Sequence, residues 1–132
     1  MKQQTSAHFR RLVFLPLFAM LAACGSDATA PEPDPTVTGS WSGTGNQFSL
    51  QLTLNQQPDG TVLGSGSISS AVGTLALTVL NGTHAFPNLS LTLGATGLLD
   101  TNLTGTVTSS TTIAATLNGS GFSNESINLT KQ

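Results

Sequence analysis

Phe48-Ser49-Leu50-Gln51-Leu52-Thr53-Leu54-Asn55 alternates apolar and polar side chains without a fault. Successive side chains of an extended chain point to opposite faces, so this run predicts a β-strand with one dry face and one wet face. Leu75-Ala76-Leu77-Thr78-Val79 and Leu89-Ser90-Leu91-Thr92-Leu93 repeat the period, and Ile127-Asn128-Leu129-Thr130 carries it to the end of the chain. No stretch after residue 36 shows the 3.6-residue apolar period of a helix.

Turn-forming residues separate the runs. Pro58-Asp59-Gly60 and Asn81-Gly82 suit tight reversals, and Ser109-Ser110, Asn118-Gly119 and Ser123-Asn124 are weaker marks of the same kind. The expected strands are 37–44, 47–56, 61–69, 73–82, 88–95, 101–108, 111–118 and 125–131. The connections are short, so neighbours in sequence should pair antiparallel. An internal echo at a near-constant offset points the same way. Leu50-Gln51-Leu52-Thr53-Leu54 returns as Leu89-Ser90-Leu91-Thr92-Leu93, and Thr74-Leu75-Ala76 and Asn81-Gly82 return as Thr112-Ile113-Ala114 and Asn118-Gly119. Two copies of one meander favour an up-and-down order.

Only 8% of the residues are charged, against roughly 25% in an ordinary soluble chain. An open sheet guards its edges with lysines, prolines or inward charges, and these strands have almost none to place there. Closure removes the edges altogether. The expectation is therefore an all-β, eight-stranded antiparallel up-and-down β-barrel. By parity its interior holds Val37, Trp41, Phe48, Leu50, Leu52, Leu54, Val62, Ile68, Leu75, Leu77, Val79, Leu89, Leu91, Leu93, Leu103, Val107, Ile113, Leu117, Ile127 and Leu129. Gly39, Gly43, Gly64, Gly66, Gly105 and Gly119 share that face, where they either leave a cavity or serve bends of the sheet. A transmembrane barrel would turn the apolar face outward between aromatic girdles, for which Trp41, Phe48, Phe86 and Phe122 are few.

The first 24 residues read differently. Lys2, Arg10 and Arg11 precede an apolar run, 12–20, that is broken by Pro16 and too short for the ~20 residues of a spanning helix. Small residues follow, which is the layout of a secretory signal peptide. Leu21-Ala22-Ala23-Cys24 resembles the lipobox of bacterial lipoproteins. The resemblance implies cleavage of 1–23, acylation of Cys24 with palmitate-type chains, and anchoring of the mature chain to the cell envelope. With Gly25-Ser26 in place of an Asp after the cysteine, it points to the outer membrane. Cys24 is the only cysteine, so no intramolecular disulfide forms. Residues 24–35 then form a lipidated, disordered linker in which Pro31, Pro33 and Pro35 alternate with Glu32 and Asp34. Prolines at that density favour an extended spacer of about 3.1 Å per residue. Residues 36–132 form the barrel domain.

Gly39-Ser40-Trp41 resembles the Gly-x-Trp of the calycins, the lipocalin and avidin barrels, where the indole plugs one end. Asp59-Gly60, Leu63-Gly64-Ser65 and Ser70-Ala71-Val72-Gly73 extend the likeness to avidins. The resemblance implies a calycin-like fold with Trp41 as a barrel plug. Biotin binding in that family uses several tryptophans and a tyrosine; this chain has one Trp and no Tyr, so the ligand does not carry over.

Chemistry is sparse. Beyond residue 11 the only basic residue is Lys131, so nothing neutralises several phosphates and a nucleic-acid partner is excluded. His84 is the one histidine of the mature chain and reads as a solvated turn residue, with no second His or Cys to build a zinc site. Asp59, Asp100 and Glu125 are scattered. No cofactor, metal site or catalytic residue is called for. The expected protein is a non-catalytic, lipid-anchored envelope protein, monomeric, its barrel a structural or partner-binding module. The alternative is a carrier of a small apolar ligand inside the barrel.

Overall fold

Eight strands follow one another in the computed structural model, which describes residues 30–132. They are β1 (Gly39–Thr44), β2 (Phe48–Gln56), β3 (Val62–Ser70), β4 (Gly73–Ala85), β5 (Asn88–Gly94), β6 (Thr101–Ser109), β7 (Thr112–Gly119) and β8 (Phe122–Lys131). Each pairs antiparallel with its neighbours in sequence, and β8 returns to β1 to close an up-and-down barrel. The expected fold class is the one observed. Residues 32–132 make one compact unit that contains the whole ladder and the whole core. The expected signal peptide and Cys24 lie outside the described residues. Of the linker, Ala30 to Asp34 are exposed and carry no regular structure.

The apolar parity set is turned inward and the Ser, Thr, Asn and Gln set outward, the reverse of a lipid-facing barrel. Inside, glycines and leucines meet in pairs. Gly39 and Gly64 sit opposite Leu54, Gly66 opposite Leu52, Gly43 opposite Leu50, Gly82 opposite Leu91 and Gly105 opposite Leu89. The space that the missing side chains free is taken. A methyl on Gly66 would strike the Gln51 carbonyl and stand 2.8 Å from Leu52 Cδ2, and one on Gly82 would stand 2.9 Å from Leu91 Cδ2. Of the two roles open to these glycines, the structure gives them to close packing of large against small. Gly119 is the exception: it is exposed at the end of β7 with a φ of 96°.

Three expectations fail, all by the same device. Asn81-Gly82 is not a reversal but the middle of β4, which runs on to Ala85; the chain turns at Phe86-Pro87. A bulge between Val79 and Asn81 inserts Leu80, which is left 57% exposed. One extra residue moves the inward parity from odd to even numbers, so Gly82 and His84 face the core where Leu75, Leu77 and Val79 did before it. His84 is consequently buried, not solvated. The echo breaks at the same place, because Asn118-Gly119 does end its strand. Of two further register shifts, at Val107/Ser109 and Leu117/Gly119, the latter is accommodated by Asn124 at a φ of 51°, whose amide donates to Asn118 Oδ1 at 2.9 Å. It extends β8 back to Phe122 and turns that ring toward Phe48, 5.0 Å away edge-on. Ile68 and Leu75, expected in the core, are only half-buried, whereas Ala115 and Thr101 are buried.

The packing predicts an asymmetry between faces. Gly66→Ala drives a methyl into backbone and should destabilise residues 32–132 by about 1–3 kcal/mol in urea denaturation, as overpacked cores do. Its outward neighbour Ser67→Ala should stay within about 0.5 kcal/mol.

Candidate functional site

The up-and-down order gives the barrel two chemically different ends. One, the floor, receives the chain from the linker and carries the β2–β3 and β4–β5 connections. The other, the mouth, carries the β1–β2, β3–β4, β5–β6 and β7–β8 connections.

The floor is closed by a hydrogen-bonded plug. Trp41 points inward from β1 and is 1% exposed, as its parity requires. Its Nε1 donates to the Val37 carbonyl at 2.7 Å, so burial leaves no indole donor unpaired. Lys131 from β8 lies over the ring, 5.6 Å from its centroid. The Val37 amide donates to Gln56 Oε1 at 3.0 Å, which fixes that atom as the amide oxygen. His84 Nδ1 approaches the same oxygen at 2.8 Å and must therefore donate. The neutral ring then carries its lone pair on Nε2, a buried atom without a partner. Burial lowers the pKa of His84, and the charge of Asp34 opposes that shift without reversing it. Gln56 thus ties the entering chain to β4 through a ring held neutral.

Asp59 belongs to the β2–β3 turn. Its Oδ1 accepts from the Thr61 amide at 2.9 Å, and hydrogen bonds from Thr61 lower its pKa. The carboxylate is therefore a turn cap in a reversal where Gly60 takes a φ of 87°. The structure does not bring Asp59 together with Asp100 or Glu125. Asp100 ends the β5–β6 connection and Glu125 lies on β8, both toward the mouth. Among the described residues, no group of three His, Cys, Asp or Glu side chains is placed to hold a metal ion.

The mouth is apolar and open. Phe48, Ile68, Leu75 and Phe122 line its inner wall, Val72 and Leu98 its rim, in a cleft of about 460 Å³. Val72 is 98% exposed, Leu98 47%, and its neighbour Leu99 79%. The polar members of the lining, Gln47, Ser70, Thr74 and Ser120, carry no charge. The volume lies within the range of small-molecule sites, and an apolar wall with a few uncharged polar groups is their usual make-up. By contrast, a shallow depression of about 500 Å³ on the outer wall is lined mainly by polar side chains, Thr83, Asn88, Ser90, Thr104, Thr106 and Thr116, with Ala85 and Ala114 among them. Parity reasoning assigns Ile68 and Leu75 to the interior and gives Val72 and Leu98 no inward place. The sequence did hold a signal: Ala71-Val72 and Leu98-Leu99 put apolar doublets into connections, where polar residues are the rule.

Two measurements test the floor. Trp41→Ala should cost about 3–5 kcal/mol of stability, the range for a large aromatic removed from a core, and the wild-type indole should emit at short wavelength and resist aqueous quenchers. His84 is the sole histidine of residues 32–132. Its folded pKa lies below the unfolded value near 6.5, so the unfolded chain takes up the proton first. Stability should be complete above that pH and decline as pH falls from there through the folded pKa, by up to about 1.4 kcal/mol per unit. His84→Gln should abolish that slope; an unchanged slope would mean the ring is not held neutral. Comparison with protein-family models, with curated proteins and with solved structures finds no match to this chain.

Proposed function

We propose that this chain is a lipid-anchored, non-catalytic protein of the bacterial cell envelope, and that its barrel is a filled module that binds through its mouth. The observation that carries the binding part is the contrast between interior and mouth. Apart from Gly119, the inward glycines Gly39, Gly43, Gly64, Gly66, Gly82 and Gly105 each face a leucine across the ladder, which supports a filled lumen rather than a carrier's cavity. The mouth, in contrast, exposes Val72, Leu98 and Leu99 around an apolar cleft. Isolated exposed apolar residues are ordinary, but a contiguous group rimming a concavity is a recognition surface. The carrier reading is thereby moved from the lumen to the rim, and the calycin likeness contributes the barrel and the Trp41 plug without a biotin-type site.

Anchoring rests on Leu21-Ala22-Ala23-Cys24. Two or more acyl chains on Cys24, at about 0.8 kcal/mol per buried CH₂, would hold the protein stably on a membrane, the outer one by the residues that follow the cysteine. Asp34 and Pro35, which lead into β1, lie at the floor beside Gln56 and His84, the end opposite the mouth. The module acts as a monomer, with the membrane, and whatever enters the mouth, as its partners.

Expressed in a Gram-negative host, the wild-type chain should incorporate radioactive palmitate and fractionate with outer membranes. Cys24→Ser should remain uncut and unlabelled. Normal processing of that variant would remove the anchoring half of the proposal and leave the barrel half standing.

A further inference from the structure

The charges of the barrel are few enough to be placed one by one: Asp34 and Asp59 lie at the floor beside Gln56 and His84, and Asp100 and Glu125 belong to elements at the mouth. Lys131 is the only cation among the described residues, and it is held at the floor over Trp41. The mouth end carries Asp100 and Glu125 and nothing positive. Asp100 follows Leu98 and Leu99 in the same connection and is exposed. Glu125 sits opposite Leu117 on the inward parity of β8, three residues from Phe122, and is half-buried. From Phe122 to Lys131, β8 spans roughly 30 Å at about 3.3 Å per residue. The Debye length at physiological salt is about 8 Å, so Lys131 does not offset the two carboxylates. Asp100 stands two residues beyond Leu98 and Glu125 three beyond Phe122, and Leu98 and Phe122 both line the cleft.

Resting on the reading of the mouth as a binding face, we propose that its ligand is a small amphiphile with an apolar body and a cationic head. The body lies against Phe48, Ile68, Leu75 and Phe122, and the head stays at the rim in the field of Asp100 and Glu125. A free fatty acid has the right body and the wrong head. Its carboxylate would meet two others, with uncharged hydroxyl and amide groups as its only donors in the lining. A neutral alcohol keeps the apolar contacts and gains nothing from the field. At the rim the charges are solvated and screened, so the preference is a matter of several-fold rather than orders of magnitude.

The test uses residues 32–132, whose core and ladder are complete, and three probes with one body: hexylammonium, hexanol and hexanoate. Binding is read by backbone amide chemical-shift titration. At 10 mM salt hexylammonium should bind about threefold or more tightly than hexanol, and hexanoate more weakly than both, with shifts centred on Val72, Leu75, Leu98 and Phe122. In 0.5 M salt the three should converge. Asp100→Asn with Glu125→Gln should erase the order while retaining hexanol. Val72→Lys changes a fully exposed side chain, leaves the fold intact, and should invert the order in favour of hexanoate. Equal affinities at low salt, or a preference for hexanoate, would overturn the charge selection while the mouth remains a binding face. Failure of all three probes to shift the mouth residues would overturn both.

Discussion

The pairing of inward glycines with inward leucines across the ladder is the constraint on which the rest depends. Eight strands enclose an interior just wide enough for side chains to fill. Leu54 lies between Gly39 and Gly64, and Leu52 between Trp41 and Gly66. Large residues on every strand would overfill that space, and small ones on every strand would leave voids. Alternating them around the circumference satisfies packing mostly with apolar carbon, with Thr101 and His84 the buried polar exceptions. The outer surface can then be almost uncharged, because closure leaves no strand edge to defend.

Filling the interior pushes all remaining chemistry to the ends. At the floor, a large aromatic needs a hydrogen-bond acceptor, and the backbone of Val37 supplies it. Gln56 in turn accepts from Val37 and from His84, so one amide oxygen joins the entering chain, β2 and β4. At the mouth no such plug exists. Phe48 and Phe122 meet edge-on, and the remaining apolar groups stand open to solvent. The same barrel therefore has a closed, polar-bonded end and an open, apolar one. The open end has only acidic residues near it.

Much of this was legible in the sequence. Period-two alternation in 48–55 and 89–93 needs no tertiary information to declare strands, because the alternation is itself the record of one face meeting oil and the other water. Trp41 was placed inward by counting from Val37, and β1 has no bulge to spoil the count. The count failed in β4. Val79-Leu80 puts two apolar residues in succession, and the doublet marks a bulge that transfers the inward set to Gly82 and His84. Reading Asn81-Gly82 as a turn was sound chemistry applied to residues that the bulge holds extended.

By itself, the sequence determined the strand number, the up-and-down order, the closed barrel and the face each regular strand turns inward. Those follow from periods and short connections, which are local properties. Tertiary structure alone decided that the places left by Gly66 and Gly82 are taken, since a residue of another strand occupies each. It also decided that His84 is buried and neutral, through Gln56, 28 positions away. It decided, too, that Ile68, Val72, Leu75, Leu98 and Phe122, scattered over 55 positions, surround one mouth. Each of these depends on which strands stand side by side and on where a single inserted residue shifts the register, and no local period carries that information.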